Sequence, residues 1–119
     1  MNRHEHVTIG IFAFAVCSIP LYLVTDQIPG GFIFGLLAVA VGSITPDLLE
    51  PARSWKHRGK YHSKRALKYI LKISIVAVIL GYISIILADS PLLYILSGFF
   101  LGYSLHLLAD STTPMGLPD

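Results

Sequence analysis

Charged side chains are scarce in this chain. Asp, Glu, Lys and Arg make up 13% of its 119 residues, against about 25% in an ordinary soluble domain, while the mean hydropathy is +0.67. That deficit argues against a water-solvated globule and makes the bilayer the expected solvent, with any core shared between a few helices and lipid. Cysteine is almost absent. The one thiol, Cys17, lies inside an apolar run, which rules out an internal disulfide and a thiolate-built metal centre and leaves packing as a small hydrophobe. No A-x-A-like cleavage site follows the first apolar stretch, so that stretch is expected to stay in the mature protein. Internal repeats and low-complexity tracts are missing as well.

What is present is a set of apolar runs: Val7–Val24, Gly31–Thr45, Leu67–Ala88 and Leu92–Ala109. A membrane-spanning helix needs about 20 apolar residues, so the first, third and fourth qualify and the second is short. The turns "TDQIPGG" and "ADSP" are brief enough to make two antiparallel pairs. The expected fold is an all-α, polytopic membrane protein, a compact bundle of about four transmembrane helices forming a single domain over residues 1–119.

Basic residues are missing from both of those turns, which carry only Asp26 and Asp89. All nine Lys and Arg lie at the other end: Arg3, Arg53, Lys56, Arg58, Lys60, Lys64, Arg65, Lys68 and Lys72. By the positive-inside rule, both termini and the 46–66 connection are expected to be cytoplasmic in a multi-pass protein of the cell (inner) membrane.

The same topology gathers every histidine, His4, His6, His57, His62 and His106, at that end, together with Asp47, Glu50 and Asp110. Anchoring at the membrane boundary accounts for any one of them. As a set they are imidazole and carboxylate ligands suited to zinc, manganese or iron. In "SLHLLADSTTP" His106 and Asp110 stand one helical turn apart and can face a single ion. The same stripe read backward contains Gly102 and Gly98, and the second run contains Gly31 and Gly35, spacings that permit close helix approach. In "GSITPDLLEPARS" Thr45 reads as an N-cap, Pro46 as a first helical residue and Asp47 as part of a first turn, with Pro51 limiting the length. Capping and metal binding both account for Asp47. In "HRGKYHSKRALK" Gly59 permits a turn bringing His57 and His62 together, and Ser63 is placed to cap the third span. Lys64 and Arg65 then oppose the helix dipole, which anionic lipid headgroups or a phosphate-bearing substrate would offset.

"GSITPDL", "HRGKYHS" and "HLLADSTTPMG", each at the same end of an apolar run, resemble the YdjM-like family of inner-membrane proteins assigned as metal-dependent hydrolases. The resemblance covers nearly the whole chain and implies a metal held by His6, Asp47, His57, His62, His106 and Asp110. Two positions depart from the family pattern: Leu49 replaces a second aspartate, with Glu50 one residue later, and Tyr61 replaces a threonine. A more distant similarity to zinc-dependent phospholipase C enzymes implies phosphoester substrates.

The resulting expectation is a membrane-bound metal-dependent hydrolase acting at the cytoplasmic membrane surface on a lipid or polyprenyl phosphoester. Its cofactor would be a divalent metal, zinc or else manganese or iron. Glu50 would be the general base and Asp47 a catalytic ligand, while Arg58, Lys64 and Arg65 would bind the anion. Membrane lipids are the expected partners, nucleic acid is not, and oligomerisation is left open. The competing readings are a metal-binding transporter or sensor and a non-catalytic membrane interaction protein. Transport calls for polar groups near the bilayer midplane, whereas these residues lie at one end.

Overall fold

A computed structural model describes residues 2–49, 60–112 and 117, with only the backbone described at Lys60. Four helices account for almost all of it: α1 Arg3–Thr25, α2 Phe32–Leu49, α3 Lys64–Ala88 and α4 Leu92–Ser111, with a 3-10 turn at Lys60–His62 before α3. All four are long and apolar enough to cross a membrane, and no strand occurs among the described residues.

Two starts fall earlier than the apolar runs. α1 begins at Arg3 because Asn2 and Glu5 form a capping box: the Asn2 side chain accepts from the Glu5 amide at 2.9 Å, and Glu5 accepts from the Asn2 amide at 3.1 Å. His6 therefore lies on the first span rather than ahead of it. α3 begins at Lys64 with Ser63 as its N-cap, as the sequence suggests, the hydroxyl accepting from the Ala66 amide at 3.0 Å. At their far ends α1 and α3 stop in left-handed aspartates, Asp26 and Asp89, with φ of 56° and 52°.

One expected boundary does not exist. Thr45 and Pro46 do not begin a new helical turn, because α2 runs through Pro46 to Leu49. The Thr45 hydroxyl donates back to the Val41 carbonyl at 2.6 Å instead of capping forward. Pro46 is fully buried, so tertiary packing holds a residue that ordinarily disfavours a helix interior.

α4 is the centre of the bundle and packs against α1, α2 and α3, whereas α3 packs mainly on α4. The α2–α4 contact is made backbone to backbone. A Cβ on Gly42 would collide with the Phe99 carbonyl, one on Gly102 with the Val39 carbonyl, and one on Gly98 with the Gly35 carbonyl. Small residues allow this approach where lipid supplies no hydrophobic drive for association. Gly31 is not part of it. It sits in the α1–α2 turn with φ +81° against Ile95, and Gly42 takes the interface role that spacing assigned to it. Outward-facing side chains such as Phe12, Leu23, Ile33, Phe34 and Leu87 are exposed and apolar, as a lipid-facing surface requires.

Candidate metal centre

The helical phases bring polar side chains inward at one end of the bundle. On α1, His6 continues the buried stripe of Gly10, Phe14 and Ser18, while His4 falls on the exposed side. On α4, Gly98, Gly102, His106 and Asp110 recur every four residues and all are buried. Glycine against α2 thus gives way, over the next two turns, to an imidazole and then a carboxylate on the same stripe. α2 delivers Asp47, and the 3-10 turn delivers His62. The turn is tied to α4 by the Tyr103 hydroxyl, which donates to the Tyr61 carbonyl at 3.1 Å.

The five side chains form two overlapping groups, His6–His106–Asp110 and Asp47–His62–His106, each with candidate ligand atoms lying within 4.8 Å of one another. His106 belongs to both. Its Nδ1 lies 2.6 Å from the Ser43 carbonyl, which can only accept, so Nδ1 carries a proton and donates it. In the neutral ring Nε2 is then a bare lone pair. That atom lies 3.2 Å from Asp110 Oδ2 and 3.4 Å from Asp47 Oδ1. His6 Nε2 is 3.3 Å from Asp110 Oδ1, and His62 Nε2 is 3.1 Å from Asp47 Oδ1.

Three observations fit a divalent cation to these residues. His106 Nε2 is buried with two carboxylates within 3.4 Å but no hydrogen bond of good geometry, so a divalent cation would be held by these three donors as readily as a proton on the ring. The His6 and His106 rings stack with centroids 3.7 Å apart at 19°, an arrangement that two imidazolium rings would oppose by repulsion. Metal–nitrogen and metal–oxygen bonds of about 2.0–2.2 Å place tetrahedral donors roughly 3.3–3.6 Å apart, close to the spacings found. Because Nε2 has one lone pair, His106 serves a single ion, and the two groups are alternative or neighbouring parts of one centre. The Ser43 carbonyl fixes the ring's tautomer in the way that outer hydrogen bonds orient metal-ligating histidines.

The side chains of His6, His62, His106 and Asp110 are at most 4% exposed, whereas that of Asp47 is 31% exposed. Asp47 therefore marks the open side of the cluster.

Of the residues singled out in the sequence, His6, Asp47, His62, His106 and Asp110 come together. Lys64 and Arg65 are exposed on the first turn of α3, directly after His62 and Ser63. Glu50, His57 and Arg58 lie outside the described residues. Sequence reasoning missed Ser43, whose contribution is a backbone carbonyl, and Tyr103, whose hydroxyl secures the His62 turn. No family model, curated protein or solved structure matches the chain.

Proposed function

We propose that this chain is a membrane-bound metal-dependent hydrolase that acts on a lipid or polyprenyl phosphoester at the cytoplasmic face of the cell membrane. The observation carrying the reading is His106, its Nδ1 engaged by the Ser43 carbonyl and its buried Nε2 facing carboxylate oxygens of both Asp110 and Asp47 at 3.2 and 3.4 Å. The resemblance of "GSITPDL", "HRGKYHS" and "HLLADSTTPMG" to the YdjM-like family supports it independently of geometry.

His106, Asp47 and Asp110, joined by His6 and His62, would hold zinc, or else manganese or iron, and His57 would extend the set. Such an ion lowers the pKa of bound water toward about 7 and stabilises charge on a phosphoryl oxygen. The chain's own residues supply the rest. Asp47, on the open side, meets the substrate, and the buried imidazoles keep bulk water from the other sides. Glu50 would take a proton from water as the water oxygen bonds phosphorus, and as the P–O bond to the ester oxygen breaks Glu50 would return that proton to the leaving alkoxide. Lys64 and Arg65, with Arg58, hold the anionic headgroup at membrane depth.

Steady-state kinetics on lipid phosphomonoesters and phosphodiesters in mixed micelles test this reading. Chelator-sensitive turnover is expected. Asp47→Asn should lower kcat by roughly 100-fold or more, while the double variant Lys64→Gln/Arg65→Gln should raise KM and leave kcat nearly unchanged, because headgroup binding common to ground and transition states is lost. Turnover unaffected by Asp47→Asn would overturn the assignment. Bound metal with no turnover on any of these esters would reduce the function to metal binding.

A further inference from the structure

α3 and α4 leave an open groove of about 340 Å³ between them, lined by none of the His/Asp cluster residues. It is lined by Ile73, Val76, Ala77 and Leu80 of α3 and Leu93, Leu96 and Phe100 of α4, with Lys72 as the one charged residue among those lining it. Lys72 is the ninth residue of α3, so it stands roughly 12 Å along the helix axis from the first, inside the segment long and apolar enough to span the membrane. Lys68, one turn closer to the helix start, is exposed on the same face. Neither lysine forms an ion pair among the described residues.

An ammonium at that depth reaches toward the headgroup layer with its stem lying on apolar surface, and it seeks an anion. The groove continues from it along the helices toward the bilayer interior, lined only by hydrocarbon. We infer that this groove binds one anionic membrane phospholipid, an acyl chain lying between α3 and α4 along Val76, Ala77 and Leu80 and the phosphate held by Lys72 with Lys68. The charge at one end and the hydrocarbon length below it match the two halves of such a lipid. A second copy of the chain would need a carboxylate for Lys72, and the outward apolar faces of the four helices offer none near that depth: their carboxylates lie at helix ends. The site is separate from the proposed metal centre, so it stands or falls independently of the hydrolase reading.

Native mass spectrometry of the full chain, released from nanodiscs containing equal amounts of phosphatidylglycerol and phosphatidylcholine, tests this. One phosphatidylglycerol is expected to stay bound per chain, retained at least tenfold more than phosphatidylcholine. Lys72→Gln should abolish that preference, and Ala77→Leu, which fills part of the groove, should reduce retention of both lipids; circular dichroism and a thermal unfolding profile unchanged from the wild type confirm folded variants. Should either variant misfold, competition by spin-labelled phosphatidylglycerol and phosphatidylcholine on the wild type gives the same comparison. Equal retention of the two lipids, a preference that survives Lys72→Gln in the folded protein, or a lipid-free dimer would overturn the inference.

Discussion

α3 and α4 pack against each other and have opposite fates. α3 carries the more apolar membrane-length stretch of the two, yet 17% of that stretch is buried, compared with 44% for α4. In water the greasier stretch would be the core. In lipid the hydrocarbon surroundings are as apolar as leucine, so burial goes to the helix whose small and polar residues make contacts that lipid cannot. α4 presents Ser97, Gly98, Gly102, Ser104, His106 and Asp110 inward, while among the buried residues of α3 are only Ser74 and Gly81. The residues that let α4 come close to α2 continue directly into those that build the candidate centre, so packing and site share one stripe.

The sharpest way to break this contrast is to add a single methyl. Gly42→Ala would force α2 away from the Phe99 carbonyl and should cost about 1–3 kcal/mol or more. Ile79→Ala on α3, where the side chain is half exposed, removes three carbons and should change stability by less than about 0.5 kcal/mol. Reversible unfolding in mixed micelles checks both. A larger loss at Ile79 would mean that α3 is anchored by burial after all.

A smaller effect is expected where α3 begins. Ser63→Ala removes the hydroxyl that accepts from the Ala66 amide and should destabilise by about 1 kcal/mol, with hydrogen exchange rising in the first turn of α3 and no change in α4. Exchange rising equally in both helices would show that they unfold as one unit. The least effect belongs to the far end of α4, where the Ser18 and Tyr94 hydroxyls lie 2.6 Å apart. Hydrogen bonds between membrane helices average about 0.6 kcal/mol, and Ser18→Ala should lose about that much in the same unfolding assay. A loss several times larger would make this polar contact, rather than the glycine stripe, the tie between α1 and α4.

The spans were legible because apolar length is a strong signal, and the convergence of His6, Asp47, His62, His106 and Asp110 followed from topology, since an even number of crossings returns their segments to one end. The helix starts were less legible. The Asn2–Glu5 capping box was there to be read, but hydropathy alone placed the first boundary at Val7. Thr45–Pro46–Asp47 carries a good N-cap signature, and it misled because local signals cannot report that Pro46 is buried inside a helix that simply continues. The separation of His6 from His4 was available from helical phase, His6 being four residues before Gly10 and eight before Phe14. The Ser43 carbonyl was not legible at all. A backbone acceptor leaves no residue-type signature, and its partner lies 63 residues away.

Metal analysis by mass spectrometry of the detergent-purified protein, prepared without added metal, tests the central claim most directly when the wild type is compared with His106→Ala and His4→Ala. Zinc, manganese or iron is expected at one or more ions per chain in the wild type and in His4→Ala, whose exposed imidazole lies outside the cluster. In folded His106→Ala, which deletes the nitrogen shared by both ligand groups, the content should fall to background. A wild-type protein without stoichiometric metal, or a His106→Ala protein that retains the wild-type amount, would contradict the account.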